Sequence, residues 1–81
     1  MITGMLWFDN NPKNTLTGKI TEAAEYYRKK YGISPDLCLV NPGIFPAEGF
    51  HAGPILVRPL RSVLPDHLWI GVEEKLPTGT D

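Results

Sequence analysis

Residues 7–21 read WFDNNPKNTLTGKIT, an apolar run, a polar turn and then a helical spacing. A strand, loop and helix in that order is the usual setting for a phosphate-binding loop. The nucleotide-cradling pattern needs a glycine, four free positions, then Gly-Lys followed at once by Ser or Thr. Here Gly18-Lys19 is followed by Ile20, and Lys13 stands where the first glycine is required. The motif therefore fails at both ends. The free amides at a helix start still favour anions on any α/β scaffold, which makes Lys13, Asn14, Thr15 and Lys19 anion-binding candidates. The competing expectation is that Asn14, Thr15 and Thr17 only cap the helix.

Other chemistry is thinly supported. Asp9, His51, Asp66 and His67 are metal-ligating types, but no two of them show paired-ligand spacing, so no metal or other cofactor is expected. A nucleophile needs a base within hydrogen-bond reach. Cys38 lies inside the apolar run DLCLV, where burial makes a thiol inert, and nothing beside Ser62 marks it as activated. No catalytic residue is assigned. Arg58 and Arg61 near Trp69 form a different combination, basic and aromatic, that suits protein contacts and also stacks single-stranded bases.

These residues need a scaffold. Ile2 to Phe8 is read as a strand closed by Asp9-Asn10-Asn11-Pro12. From Thr15 to Tyr31, the residues Leu16, Ile20, Ala23, Ala24, Tyr27 and Tyr31 fall on one helical face. Glu25 precedes Lys29 by four, the spacing of an exposed ion pair, and Gly32 can end the helix. Asp36 to Val40 is a second strand, so a parallel pair joined by the helix is expected. Ile55 to Arg58 and Leu68 to Val72 are two more, joined most simply as a hairpin. Between them residues 41–54, NPGIFPAEGFHAGP, show neither period and read as a long loop.

The expected fold is thus α/β in the α+β sense: β-α-β-β-β, a four-stranded mixed sheet with one amphipathic helix on one face. Residues 1–73 form one small domain, and residues 74–81 a polar tail. At 81 residues and a formal charge of −1, the chain lacks the strongly basic balance typical of proteins held to DNA or membrane by bulk charge. No apolar run approaches the roughly 18 residues that span a bilayer. With one cysteine, the expected compartment is the cytoplasm.

One helix cannot cover both faces of such a sheet, and this arithmetic carries the functional expectation. A small non-enzymatic interaction module is expected, self-associating or part of a larger assembly. Its partner surface would combine Trp7, Phe45, Phe50 and Trp69 with a rim of Arg58 and Arg61. A nucleic-acid accessory protein using the arginines and aromatic residues is the alternative. A phosphate or nucleotide binder at residues 9–19 is a further one.

Overall fold

The computed structural model describes residues 2–44 and 49–73. Its elements are β1 (Ile2–Phe8), α1 (Leu16–Tyr31), β2 (Leu37–Val40), a 3₁₀ turn (Pro42–Ile44), β3 (Phe50–Ala52), β4 (Ile55–Pro59) and β5 (His67–Glu73). The strands form one mixed sheet in the order β1-β5-β2-β4-β3. The class is α+β with one helix, as expected, but the sheet has five strands instead of four.

The additional strand lies in the segment read as a long loop. Phe50 and Ala52 pair antiparallel with Val57 and Ile55, closing a two-residue turn at Gly53-Pro54. Gly53 has φ 63°, the positive value that the first central position of such a turn demands. Three residues are too few for an alternation to stand out in the sequence. A Cβ on Gly49 would lie 2.7 Å from the Val57 carbonyl oxygen, so only glycine lets the chain enter β3 this closely.

Two connections also differ from the simplest expectation. β5 runs antiparallel to both β1 and β2 and lies between them. Consequently β1 and β2 are parallel, as the helical crossover requires, but are not neighbours. β4 pairs in parallel with β2, so β4 and β5 flank β2 and make no hairpin with each other. β2 and β5 carry apolar side chains on both faces and take inner positions, where both faces can be covered.

The helix begins and ends where local chemistry dictates. Thr15 caps it, its hydroxyl accepting from the Gly18 N–H at 3.0 Å. Gly32 stops it in the left-handed conformation (φ 77°), its N–H donating to the Arg28 carbonyl at 2.8 Å. Ile20, Ala23 and Tyr27 are buried against Cys38, Val40, Ile55, Val57, Leu68 and Ile70, which form the core between helix and sheet. Leu16 and Ala24 are half-buried at its margin, whereas Tyr31 is exposed. Glu25 pairs with Arg28 at 2.7 Å, three residues on, where the spacing pointed to Lys29. Both side chains are more than half exposed, so the pair adds little stability.

Cys38 is completely buried in this core, and desolvation pushes its thiol up to about 12 from 9.0. It should therefore resist thiol-specific reagents in the native protein and react only after denaturation. Because the native state retains this proton longer than the unfolded chain, the thiol's contribution to stability is complete below pH 9. It should decline as pH rises from 9 toward 12. Denaturant midpoints across that range, compared with those of Cys38→Ala, measure the effect.

Candidate functional site

The strand pairing sorts every side chain onto one of two faces. Met5 and Trp7 lie opposite Ile70 and Leu68, and Phe50 lies opposite Val57, all on the helix side. Trp7 packs against Tyr26 with ring centroids 5.3 Å apart. Its indole Nε1 is buried without a hydrogen-bond partner among the described residues. Trp7 and Phe50 therefore do not join Trp69 on a common surface. Phe45 falls outside the described residues.

On the face away from the helix, the registers of β1, β5, β2 and β4 place Leu6, Trp69, Leu39 and Arg58 side by side in one row. Phe8 and His67 form the next row, with rings 4.9 Å apart. Arg58 and Trp69 thus share a face, with Leu39 of the intervening β2 between them. The segment between β4 and β5 then folds over the middle of this face. It buries Val63, and its position is held by Asn41, whose Nδ2 donates to the Val63 carbonyl at 2.9 Å. Arg61 is exposed on this segment.

Between segment and sheet runs a groove of about 470 Å³, lined by Leu6, Leu39, Leu60, Val63, Leu64, Trp69 and the single polar residue Ser62. Leu6 is 61 % exposed, Phe8 57 %, Leu60 43 % and Leu64 62 %. Scattered apolar exposure is ordinary, whereas Leu6, Leu60 and Leu64 line one groove, with Phe8 two residues along the same face of β1. Sequence reasoning missed Leu6, Phe8, Leu39, Leu60 and Leu64. Leu6 and Phe8 share a strand parity, yet only pairing with β5 shows which face that parity occupies.

The β1–α1 loop has a different character. The Asp9 carboxylate accepts from the Asn11 N–H at 2.8 Å and from Asn14 Nδ2 at 3.0 Å. The Lys19 ammonium donates to the Asp9 carbonyl at 3.0 Å. The Asn11 amide, with Asn14 and Lys19 adding to it, holds the Asp9 carboxyl below its ordinary value against an opposing desolvation. Lys13, Asn14, Thr15 and Lys19 do come together around one loop. Three of them, however, are engaged by the loop itself: Asn14 and Lys19 on Asp9, and Thr15 on the helix amide. The adjoining cavity of about 560 Å³ is lined by the carboxylates of Asp9 and Glu22 as well as by Lys13, a balance unsuited to phosphate.

Elsewhere, His67 Nδ1 is 2.9 Å from the Pro65 carbonyl and His51 is exposed on β3. Among the described residues no group of three or more His, Cys, Asp or Glu is placed to hold a metal ion. No helix there is long and apolar enough to cross a membrane.

The groove has one tight steric element, since a Cβ on Gly4 would lie 2.1 Å from the Trp69 ring, which rests on the bare glycine backbone. Gly4→Val should displace that ring, shift tryptophan emission to longer wavelength and cost about 1–3 kcal/mol of stability in denaturant titrations. No family model, curated protein or solved structure matches the chain.

Proposed function

We propose that this chain is a small non-enzymatic interaction module whose uncovered sheet face receives the apolar surface of a protein partner, either another copy of itself or a neighbouring subunit. The observation that carries the reading is that Leu6, Leu60 and Leu64 line one groove beside the half-buried Trp69, with exposed Phe8 on the same face of β1 as Leu6. Aromatic and leucine surface ringed by arginine is the composition of an interface centre and rim, and Arg58 supplies that rim at the end of the Trp69 row. Association also gives a small chain apolar burial that it cannot achieve alone. The proposal includes a cytoplasmic setting, supported by a lone thiol kept inside the core.

The same row supports a second reading. Arg58, with Arg61 between the groove residues Leu60 and Ser62, would contact phosphates while Trp69 stacks a base. Retention of a fluorescent single strand that weakens steeply with salt would favour this reading over the first.

Light scattering at micromolar concentration tests the leading proposal. A mass of at least twice 9.0 kDa is expected. Leu64→Asp, on the exposed segment, should raise the dissociation constant at least about tenfold, since one buried leucine contributes about 1.5–3 kcal/mol. Arg58→Ala should act mainly on the salt dependence of association. A folded protein that stays monomeric up to millimolar concentration would refute self-association.

A further inference from the structure

The two edges of the sheet are unequal. β3 has three residues, includes His51 and ends at Gly53-Pro54, so it offers little to pair with. β1 has seven, ITGMLWF, with no charge and no proline, and its register with β5 is unbroken from Ile2 opposite Glu73 to Phe8 opposite His67. None of the usual devices that blunt an edge strand is present there.

The hydrogen-bond phase of that edge can be worked out. Asp9 N–H donates to the Asp66 carbonyl at 2.9 Å, which continues the β1–β5 register by one pair and identifies it as a hydrogen-bonded pair. In an antiparallel ladder such pairs alternate. Trp7 and Met5 therefore direct their backbone groups to β5, while the N–H and C=O groups of Gly4, Leu6 and Phe8 point to the open edge. The side chains of Leu6 and Phe8 belong to the uncovered face, and with no strand beyond them they are 61 % and 57 % exposed. Among the described residues, backbone donors and apolar side chains are thus left without strand neighbours on the same flank.

We infer that a second copy of this chain adds its β1 antiparallel to this one, joining the two sheets across a twofold axis. With Met5 on that axis, Ile2–Phe8 pairs along its whole length, and each outward-facing residue meets an outward-facing residue of the second copy. Gly4 then lies opposite Leu6 of the second copy, which adds its side chain beside the Trp69 ring that rests on Gly4. An uncharged strand meets its own copy without like-charge repulsion, and isologous pairing of this type closes on itself as a dimer. The inference rests on the proposal that the chain associates with protein, and it names the partner and the edge.

Leu6→Pro compared with Leu6→Ala tests it. Both remove the leucine side chain, but only proline removes the outward N–H, and β5 does not use that group. Leu6→Pro should raise the dimer dissociation constant at least tenfold beyond Leu6→Ala, with Cys38 protection confirming the fold of each. Should Leu6→Pro fail to fold, hydrogen exchange in the unaltered protein decides. Amides of Gly4, Leu6 and Phe8 should become protected as concentration rises, whereas those of Met5 and Trp7 stay protected throughout. Equal dissociation constants for the two variants, or fast exchange at Gly4, Leu6 and Phe8 in samples of dimeric mass, would overturn edge pairing. Loss of dimer in Leu64→Asp alone would leave the groove as the interface, and a monomeric wild type would overturn edge pairing while leaving a different protein as the groove's partner.

Discussion

The structure depends on a mismatch of widths. One α-helix, side chains included, is about 10 Å across, while five strands spaced about 4.8 Å apart extend roughly 20 Å. α1 therefore seals only the middle of one face, over β5, β2 and β4, where Ile20, Ala23 and Tyr27 meet the fully buried Cys38, Val40, Val57 and Ile70. Toward the edges cover thins. Met5 and Trp7 on β1, and Phe50 and Ala52 on β3, pack against the core but are only partly buried.

The opposite face meets the same shortage with a loop instead of a helix. The segment between β4 and β5 buries Val63 and relies on few bonds: Asn41 to the Val63 carbonyl, Val63 N–H to the Leu60 carbonyl, and Leu60 N–H to the Val40 carbonyl. The last of these carries the β2–β4 ladder one step into the loop. At its far end Asp66 adopts φ 66°, a value aspartate tolerates better than most residues. Its carbonyl receives the Asp9 amide, which ties the loop to the start of the β1–α1 connection. So short a segment covers the centre and leaves Leu6 and Phe8 uncovered. β1 is accordingly only partly covered on its helix side and exposed at Leu6 and Phe8 on the other.

Polar groups around that strand serve local order. Asp9 binds Asn11 and Asn14 through its carboxylate and Lys19 through its carbonyl, so it links the end of β1 to the first turn of α1. Of the four candidate anion-binding residues, Asn14, Thr15 and Lys19 are thus engaged within the loop and the helix start. Trp69 plays the corresponding part on the uncovered face. Its ring takes the space that a side chain at Gly4 would have filled, covering backbone that this glycine leaves bare. The apolar groove is thus organised around one aromatic ring.

Much of this was legible in the chain itself. Helical spacing from Leu16 to Tyr27, the Thr15 cap and the Gly32 stop are local properties, and they placed α1 to within one residue of its observed ends. The limits of β1 and the approximate limits of β2, β4 and β5 were equally readable, because turn residues bracket apolar runs. The shortage of cover followed from counting one helix against several strands. Strand order did not follow, because β1 is as apolar on both faces as β5, and only the tertiary pairing places β5 between β1 and β2. Face assignment was equally out of reach: a run such as MLWF is apolar at every position, so its parity is silent until a partner strand fixes it. That is why Trp7 and Trp69, both read as surface aromatics, lie on opposite sides of the sheet, and why Leu6 and Phe8 are the β1 side chains left exposed.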